Sequence, residues 1–226
     1  MIPKLTHHLA FPNPESAAEE GILAYGGDLS PSRLMMAYRS GIFPWYSVND
    51  PILWWSPDPR LILELDDFKL SRSLRKKIPQ FEICFDTAFS QVIRECSSAP
   101  RRGQRGSWIV PEMIEAYETL HALGYAHSIE AYQNDILVGG LYGVSVGGVF
   151  CGESMFAKVS DASKVAFAVL VEHLRAWGYD FIDCQVPTEH LKSLGAKEIS
   201  RKSFLERLQL ASSDNFGENP WRIGNI

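Results

Sequence analysis

Hydrophobic residues dominate one long stretch of the chain, which runs without a charge from Ile136 to Gly152 and is followed directly by Glu153. The stretch is rich in glycine and shorter than the roughly 20 apolar residues that a membrane-spanning helix needs. Valine-rich segments on both sides of Gly147 and Gly148 predict two strands joined by a tight turn. Glycines inside strands often mark bulges or places where a ligand approaches the backbone. We therefore expect a buried hairpin that forms an apolar pocket with a carboxylate at its mouth. The alternative is a pair of ordinary core strands.

Elsewhere apolar residues recur with the spacing of helices in some segments and of strands in others. Ser30 and Pro31 begin a helix that Gly41 ends. Further helices are predicted at about residues 87–96, 111–123 and 161–177, and strands at about 126–132 and 179–185. Asp86 is expected to cap the helix over 87–96. A short helix follows Thr188, and a last strand and helix complete the chain. This order indicates an α+β protein with a mostly antiparallel sheet.

The composition changes near residue 60 and divides the chain into two parts. Residues 1–59 contain 8 of the 13 prolines and three of the six tryptophans, which is typical of a small, turn-rich module. One of the adjacent residues Trp54 and Trp55 is expected to be buried in the core. The segment from Arg60 to Leu65 then begins a strand. We predict a small N-terminal domain over residues 1–59 and a main domain over residues 60–226.

The overall composition is that of an ordinary soluble globular protein, with 226 residues of which 46% are hydrophobic and 22% charged. The first residues lack the apolar core of a signal peptide. The four cysteines are far apart and show no C-x-x-C spacing, which argues against a zinc site or a disulfide scaffold. We expect a cytoplasmic protein that has no membrane partner.

Two dense groups of cations contrast with the net charge of -5. Such patches contact phosphates even in an acidic protein, because affinity depends on local neutralisation and on the release of counterions. A solvated basic face with no ligand is the alternative for either group. The first group comprises Lys69, Arg72, Arg75, Lys76 and Lys77, and the second comprises Arg101, Arg102 and Arg105.

An acid and an amide share one face of the strand predicted over residues 179–185. Because side chains alternate along a strand, Asp183 and Gln185 lie on one side, and Ile182 and Cys184 lie on the other. Such a pair can accept and relay hydrogen bonds from an amine during nucleophilic attack. The alternative is that Asp183 only accepts backbone hydrogen bonds in the turn before Pro187. No G-x-S-x-G, H-E-x-x-H, P-loop or G-x-G-x-x-G motif occurs, and the histidines are scattered.

Aromatic side chains accompany positive charge or a proline-rich loop at two places. Trp45 and Tyr46 lie in such a loop, and Trp108 directly follows the basic segment RRGQRGS. Aromatic faces beside cations are suited to holding an unstacked nucleotide. Burial in the core is the more common fate of tryptophan and is the alternative here.

Six segments spread over nearly the whole chain, from about Phe11 to Phe204, carry a further signal. They are LAYGGDLSPSRLMMAYRSGIFPWYS, PILWWSPDPR, GSWIVPEMIEAYETLHALGYAHSIE, LVGGLYGVSVGGVFCGESMFAKVSDASK, IDCQ and HLKSLGAKEISRKSF. Together they resemble the leucyl/phenylalanyl-tRNA–protein transferase family. The resemblance implies a bacterial cytoplasmic enzyme that moves leucine or phenylalanine, and less efficiently methionine, from aminoacyl-tRNA to the N-terminal arginine or lysine of a protein. The product would carry a destabilising N-terminus and enter the N-degron pathway.

The resemblance also implies a fold and a site. The fold is a small N-terminal domain joined to a domain like that of the GCN5-related acetyltransferases (GNAT-like), and we expect a monomer that needs neither a metal nor a cofactor. The catalytic pair falls on Asp183 and Gln185. The aminoacyl pocket falls on Phe150, Gly152, Met155 and Ile182, with Leu141, Phe167 and Leu174 as further walls. Positions near the aminoacyl-adenosine end of the tRNA fall on Glu153, Trp45, Trp108 and Tyr117. The first group of cations is then expected to contact the tRNA backbone.

Two positions depart from the family pattern and leave the exact shape of the pocket open. Ala157 stands where many relatives have serine, and Leu141 stands where some have methionine. Two other functions also stay open at this point. An acyl-CoA-dependent N-acetyltransferase would usually carry an R/Q-x-x-G-x-G/A motif, which is absent from the sequence. A non-catalytic tRNA-binding module would leave the apolar hairpin and Asp183 without a role.

Overall fold

The computed structural model describes residues 2–99, 107–213 and Trp221. The described strands are β1 Lys4–Leu5, β2 Ile22–Gly26, β3 Phe43–Pro44, β4 Leu53–Trp55, β5 Arg60–Glu64, β6 Glu82–Phe85, β7 Ala126–Gln133, β8 Ile136–Val146, β9 Val149–Ala157, β10 Phe181–Gln185 and β11 Lys197–Ile199. The described α-helices are α1 Pro31–Arg39, α2 Arg72–Lys77, α3 Phe89–Ser98, α4 Pro111–Ala122, α5 Ala162–Ala176, α6 Glu189–Ser193 and α7 Arg201–Ser213. None of these helices is both long enough and apolar enough to cross a membrane.

The strands form two sheets, and the change from one sheet to the other falls between Trp55 and Arg60. The small sheet has the order β1-β2-β4-β3, and the large sheet has the order β11-β5-β10-β9-β8-β7-β6. All neighbouring strands of the large sheet are antiparallel except β9 and β10. The expected α+β class with a mostly antiparallel sheet is therefore confirmed. The domain boundary after residue 59 stays a prediction.

Most of the elements predicted from the sequence are present. β8 and β9 form the expected hairpin, and Gly147 takes φ 54° in its turn. α5 fills nearly the whole segment that the helical spacing predicted, and Gly178 follows it with φ 78°. Trp54 is completely buried, whereas Trp55 is only partly buried, as expected of the adjacent pair. Local periodicity thus places these elements correctly.

The expected capping of a helix by Asp86 is wrong. The helix α3 begins after Ala88, and the carboxylate of Asp86 instead accepts a hydrogen bond from the backbone N–H of Ser128 at 2.8 Å. The N–H groups of Thr87 and Ala88 lie 3.4 Å from the carboxylate oxygens of Glu130. Glu130 of the neighbouring strand β7 therefore fixes the backbone just before α3, and no side chain caps the helix itself.

The large sheet separates two apolar clusters. Side chains alternate along each strand, so Leu61 and Leu63 pack on the side of α5, whereas Ile62 between them packs on the opposite side. That second side is covered by residues of the small sheet and of the helices α1, α3, α4 and α7. The main sheet is consequently buried on both faces, and the small sheet shares one of its cores.

A gap opens in the large sheet at the end of its parallel pair. β9 and β10 are paired from Phe181 to Asp183 on one strand and from Val149 to Cys151 on the other. Beyond this point β9 continues along β8, while β10 continues along β5. The two strands therefore separate just where Gly152 and Gln185 follow, and the space between them holds the site.

Candidate active site

A cavity of about 360 Å³ lies where β9 and β10 separate. Its walls come from β8, β9, β10 and α5, and its other sides come from the end of β3, the residue Trp108 and the helix α6. The lining is mostly apolar, with Glu153 and Gln185 supplying polar groups on one side. A cavity of this kind is suited to a ligand with an apolar body and a polar reacting end.

The cavity brings together most of the residues that the sequence predicted for the site. Those that line it are Trp45, Trp108, Leu141, Phe150, Gly152, Glu153, Met155, Phe167, Ile182 and Gln185. Three other predicted residues do not line it: Leu174 is buried in the apolar cluster beneath it, Asp183 is buried under Gln185, and Tyr117 is connected to it through Glu153. The functional roles of all these residues stay predictions.

Glycine is used in two different ways in the hairpin that forms the cavity. A Cβ atom on Gly143 would lie 2.6 Å from two ring atoms of Phe150, so only glycine leaves room for that ring. A Cβ atom on Gly152 would meet nothing closer than 3.8 Å. Gly152 therefore exposes backbone to the cavity, where a ligand can approach it closely.

Glu153 is the centre of a hydrogen-bond network on the polar side of the cavity. Its Oε1 accepts hydrogen bonds from the Tyr38 hydroxyl at 2.7 Å and from Nε2 of Gln185 at 2.6 Å, and its Oε2 accepts one from the Tyr117 hydroxyl at 3.3 Å. The two tyrosine hydroxyls also contact each other. Burial raises the pKa of Glu153 to about 7, although the hydrogen bonds that it accepts act in the opposite direction. Burial likewise raises the pKa of both tyrosines well above the usual value.

Asp183 is held in a buried ion pair. Its two carboxylate oxygens accept hydrogen bonds from Nε and Nη2 of Arg60 at 2.8 and 2.6 Å. Oδ1 also accepts the backbone N–H of Gln185 at 2.9 Å. Gln185 has φ 63°, and the pairing of β10 with β5 shifts register between Asp183 and Gln185. The carboxylate therefore contacts the backbone of Gln185, and the side chain of Gln185 turns to Glu153 instead of lying beside Asp183 on a regular strand.

Arg60 is a residue of this site that the sequence analysis did not single out. It is 1% exposed, and its guanidinium lies between the rings of Phe43 and Phe204, 4.8 and 4.4 Å from their centroids. Nη1 donates a further hydrogen bond to the carbonyl of Gly41 at 3.2 Å. The one feature of the sequence that points to Arg60 is a cation directly before the three apolar residues Leu61, Ile62 and Leu63.

The thiol of Cys184 also lines the cavity beside Gln185. Burial raises the pKa of this thiol far above its usual value. Because the thiolate is the reactive form of cysteine, the side chain is a packing group and a poor nucleophile here.

The helix α6 and the segment before it form a side of the cavity that the sequence analysis also missed. They contribute Val186, Thr188, His190 and Leu191. Burial and the neighbouring ammonium of Lys164 lower the pKa of His190. The scattered positions of these residues give no periodic signal, because they lie in a turn and a short helix.

The first group of cations lies on and next to the helix α2. Lys69, Arg72, Arg75 and Lys76 are exposed, and within the described parts of the chain they form no ion pair. Lys77 bonds to Asp161 at the start of α5, which also pairs with Lys164 at 3.2 Å. The second group, Arg101, Arg102 and Arg105, lies outside the described residues.

Comparison with known proteins identifies the chain. The sequence model described as leucyl/phenylalanyl-tRNA protein transferase matches residues 62–209, and that of the N-terminal domain of the same transferase matches residues 27–58. The chain is 62% identical to a leucyl/phenylalanyl-tRNA–protein transferase of Sulfurimonas denitrificans, with 100% of this chain and 99% of the relative covered. It is 55% identical to the protein of that name from Syntrophotalea carbinolica, with 92% of this chain and 91% of the relative covered.

The fold, the cavity and these matches define an aminoacyltransferase, an enzyme that transfers amino acids to proteins. The chain belongs to the leucyl/phenylalanyl-tRNA–protein transferase family.

Solved structures of other proteins are less similar. One is the structure of L-PGS from Bacillus licheniformis, with 12% identity and a TM-score of 0.42 over 75% of this chain and 55% of that chain. Another is a GCN5-related N-acetyltransferase from Kribbella flavida, with 10% identity and a TM-score of 0.37 over 75% of this chain and 61% of that chain. The fold class assigned above rests on the strand order and pairing of this chain.

Proposed function

We propose that this enzyme moves leucine or phenylalanine, and less efficiently methionine, from aminoacyl-tRNA to the N-terminal arginine or lysine of a protein. The observation that carries the proposal is the apolar cavity with Gln185 and Glu153 on one side. It matches in chemistry a leucyl or phenylalanyl side chain whose ester end reaches the polar side. The enzyme would act in the cytoplasm, as a monomer, and its products would be marked for degradation through the N-degron pathway.

The reaction is the aminolysis of an ester that is already activated, so positioning supplies much of the acceleration. The attacking α-amino group has an ordinary pKa of about 7.7 to 8 and is partly neutral near neutral pH. Gln185 is the candidate for orienting it. Nε2 of its side-chain amide donates a hydrogen bond to Glu153. Oε1 of the same amide is then left to accept a hydrogen bond from the attacking amine.

Asp183 would act in this reaction by positioning Gln185. Its carboxylate accepts the backbone N–H of Gln185 and is itself fixed by Arg60. Because Asp183 is 1% exposed and doubly bonded to a guanidinium, it is poorly placed to take a proton from the substrate. We thus expect Gln185 to contact the amine and Asp183 to hold the backbone of Gln185 in place.

The tRNA would approach from the side of Trp45 and Trp108. Both aromatic side chains line the cavity and can stack on the terminal adenosine. The exposed cations of α2 are the candidates for phosphate contacts, and two observations favour a path from them to the cavity. Lys77 and Lys164 share Asp161, and Lys164 lies close enough to His190 in the cavity wall to lower its pKa.

The test of the proposal is a transfer assay. The protein is mixed with leucyl-tRNA and a peptide that begins with arginine, and mass spectrometry should detect the addition of one leucine. A matched peptide that begins with glycine should stay unmodified. Addition of an acetyl group from acetyl-CoA would support an N-acetyltransferase instead. Binding of charged tRNA with no transfer would support a non-catalytic tRNA-binding module.

The catalytic assignment has its own test in single-turnover rates. Gln185→Ala should lower the rate by about a hundredfold or more, because the amine loses its hydrogen-bond acceptor. Asp183→Asn should lower it less, since an amide oxygen can still accept the N–H of Gln185. Wild-type rates in both variants would overturn the assignment.

A further inference from the structure

Trp221 lies behind the cavity wall, and the proposed function gives it no role. Its indole is 6% exposed and stacks on the ring of Phe150 with a centroid distance of 5.5 Å and an angle of 26°. Phe150 lines the cavity, whereas Trp221 does not. The chain therefore places a residue near its C-terminus directly against the back of a residue that the substrate side chain would touch.

Aromatic contacts and one hydrogen bond hold the indole of Trp221 in place. The indole also stacks on the imidazole of His127 at 4.1 Å and 10°, and Trp177 packs edge-on at 4.9 Å. The imidazole is oriented by Asp86, whose Oδ2 lies 2.7 Å from Nδ1. The indole Nε1 donates a hydrogen bond to the hydroxyl of Tyr179 at 2.9 Å. A buried indole whose N–H is bonded has one well-defined orientation.

Phe150 is restrained on both sides. Gly143 lies against its ring so closely that a Cβ atom there would be 2.6 Å away. The backbone of Phe150 is paired with Ser145 and Ile182 on the two neighbouring strands. The backbone and one side of the ring are therefore fixed, and the indole of Trp221 occupies the space on the side where it stacks.

We propose that Trp221 sets the depth of the apolar cavity by holding Phe150 from behind, and that it thereby determines which apolar side chains the enzyme transfers. Removal of the indole leaves a void that the Phe150 ring can enter, because cores relax partly into such spaces. The cavity then deepens and accepts larger side chains more readily. This inference rests on the proposed function, since it takes the cavity as the site of the aminoacyl side chain.

The experiment is a competition between leucyl-tRNA and phenylalanyl-tRNA for one arginine-initiated peptide, read by mass spectrometry. Trp221→Ala should raise the ratio of phenylalanine to leucine transferred by about tenfold, a change of the size expected when an apolar pocket changes by about one methylene. Val171→Ala is the matched control. Val171 is buried in the same apolar cluster without lining the cavity, so its variant should lose stability and keep the wild-type ratio.

Two further variants separate the effect on the cavity from an effect on folding. Trp221→Leu keeps a smaller apolar side chain behind Phe150 and should shift the ratio in the same direction by a smaller factor. This variant tests the proposal even if Trp221→Ala does not fold. Tyr179→Phe removes the hydrogen bond to the indole and retains the rings, and it should change the ratio least. A wild-type ratio in a folded Trp221→Leu or Trp221→Ala protein overturns the proposal, and so does an equal shift in Val171→Ala.

A binding measurement keeps this inference apart from the proposed function. Amides of leucine and phenylalanine with 3′-amino-3′-deoxyadenosine cannot be transferred, and calorimetry measures their affinities directly. Trp221→Ala should shift the ratio of the two affinities towards phenylalanine. A wild-type protein that binds both amides but transfers neither amino acid would overturn the proposed function alone. Unchanged relative affinities in Trp221→Ala would overturn the role of Trp221.

Discussion

Glu153 receives hydrogen bonds from three different parts of the fold, and its ionisation is coupled to the orientation of Gln185. The donors belong to α1, α4 and β10, and the one from β10 is the amide of Gln185. Since burial raises the pKa of Glu153 to about 7, the carboxylate gains a proton just below neutral pH. A protonated Glu153 is a weaker acceptor for Nε2 of Gln185, so the amide is held less firmly at low pH.

The pH dependence of transfer should therefore contain two titrations. The attacking amine becomes protonated as the pH falls below about 8 and Glu153 as it falls below about 7, and each protonation lowers the rate. The logarithm of the single-turnover rate should fall more steeply near pH 7 in the wild type than in Glu153→Gln, in which only the amine titrates and the slope is about 1. Rates measured between about pH 5.5 and 8.5 test this. Parallel profiles for the two proteins would contradict it.

The hairpin of β8 and β9 divides its glycines between folding and function. Gly143 makes room for a buried ring of the hairpin itself, whereas Gly152 leaves backbone open to the cavity. Sequence alone marks both residues as glycines inside strands and does not separate these uses. The difference arises because β9 has neighbours on both sides at Phe150 and loses the neighbour β10 one residue before Gly152.

Alanine at these two positions should have opposite consequences. Gly143→Ala should lower the free energy of unfolding by about 1 to 3 kcal/mol, because its Cβ overlaps the Phe150 ring and the adjacent backbone. Gly152→Ala should change stability little and lower the transfer rate by about tenfold or more, because its methyl group enters the cavity. Urea unfolding and single-turnover rates measure the two effects. Similar losses of stability in both variants would argue against this division.

The guanidinium of Arg60 links the large sheet, within which it pairs with Asp183, to Phe43 of the small sheet. The guanidinium contacts Gly41 and Phe43 beside the small sheet and Asp183 within the large sheet. Removing one member of a buried pair leaves an uncompensated charge, which costs about 3 to 5 kcal/mol. This contact lies beside the cavity, between the end of β3 and β10, and supplements the apolar core that the two sheets share.

A double-mutant cycle tests the ion pair. Arg60→Met and Asp183→Asn should each destabilise the protein by about 3 to 5 kcal/mol, and the double variant should lose about 2 kcal/mol less than the sum, because neither change then leaves a charge buried alone. The free energies come from urea unfolding of the four proteins. Additive losses would show that the two residues are not coupled.

The distribution of charge also belongs to the whole molecule, because the chain is acidic and yet a group of exposed cations lies on and next to α2. Replacing Arg72, Arg75 and Lys76 by alanine should weaken tRNA binding and reduce the slope of log Kd against log salt by about 2 to 3 units, since fewer counterions are released. The matched control replaces the exposed residues Lys4, Arg39 and Lys202 by alanine. An equal change in both variants would assign the effect to net charge and not to α2.

Local patterns of the sequence were sufficient for the elements and for the family. The uncharged glycine-rich stretch predicted the hairpin, helical spacing predicted α5, and the order of elements predicted the α+β class. These features depend on how apolar and polar side chains repeat along a helix or strand, and this repeat can be read from consecutive residues. The same is true of the segments that carried the resemblance, because each is a continuous run of the chain.

Contacts between distant residues were decided only by the tertiary structure. Asp183 is paired with a residue 123 positions away, and this contact fixes its carboxylate under Gln185 instead of in the cavity lining. The carboxylate of Glu153 has a raised pKa because helices and strands from separate parts of the chain bury it together. Trp221 reaches the back of Phe150 in the same way. The sequence by itself thus determined the strands, helices and chemical groups of this enzyme, whereas packing decided which groups face the cavity, because desolvation and long-range pairing exist only once the chain is folded.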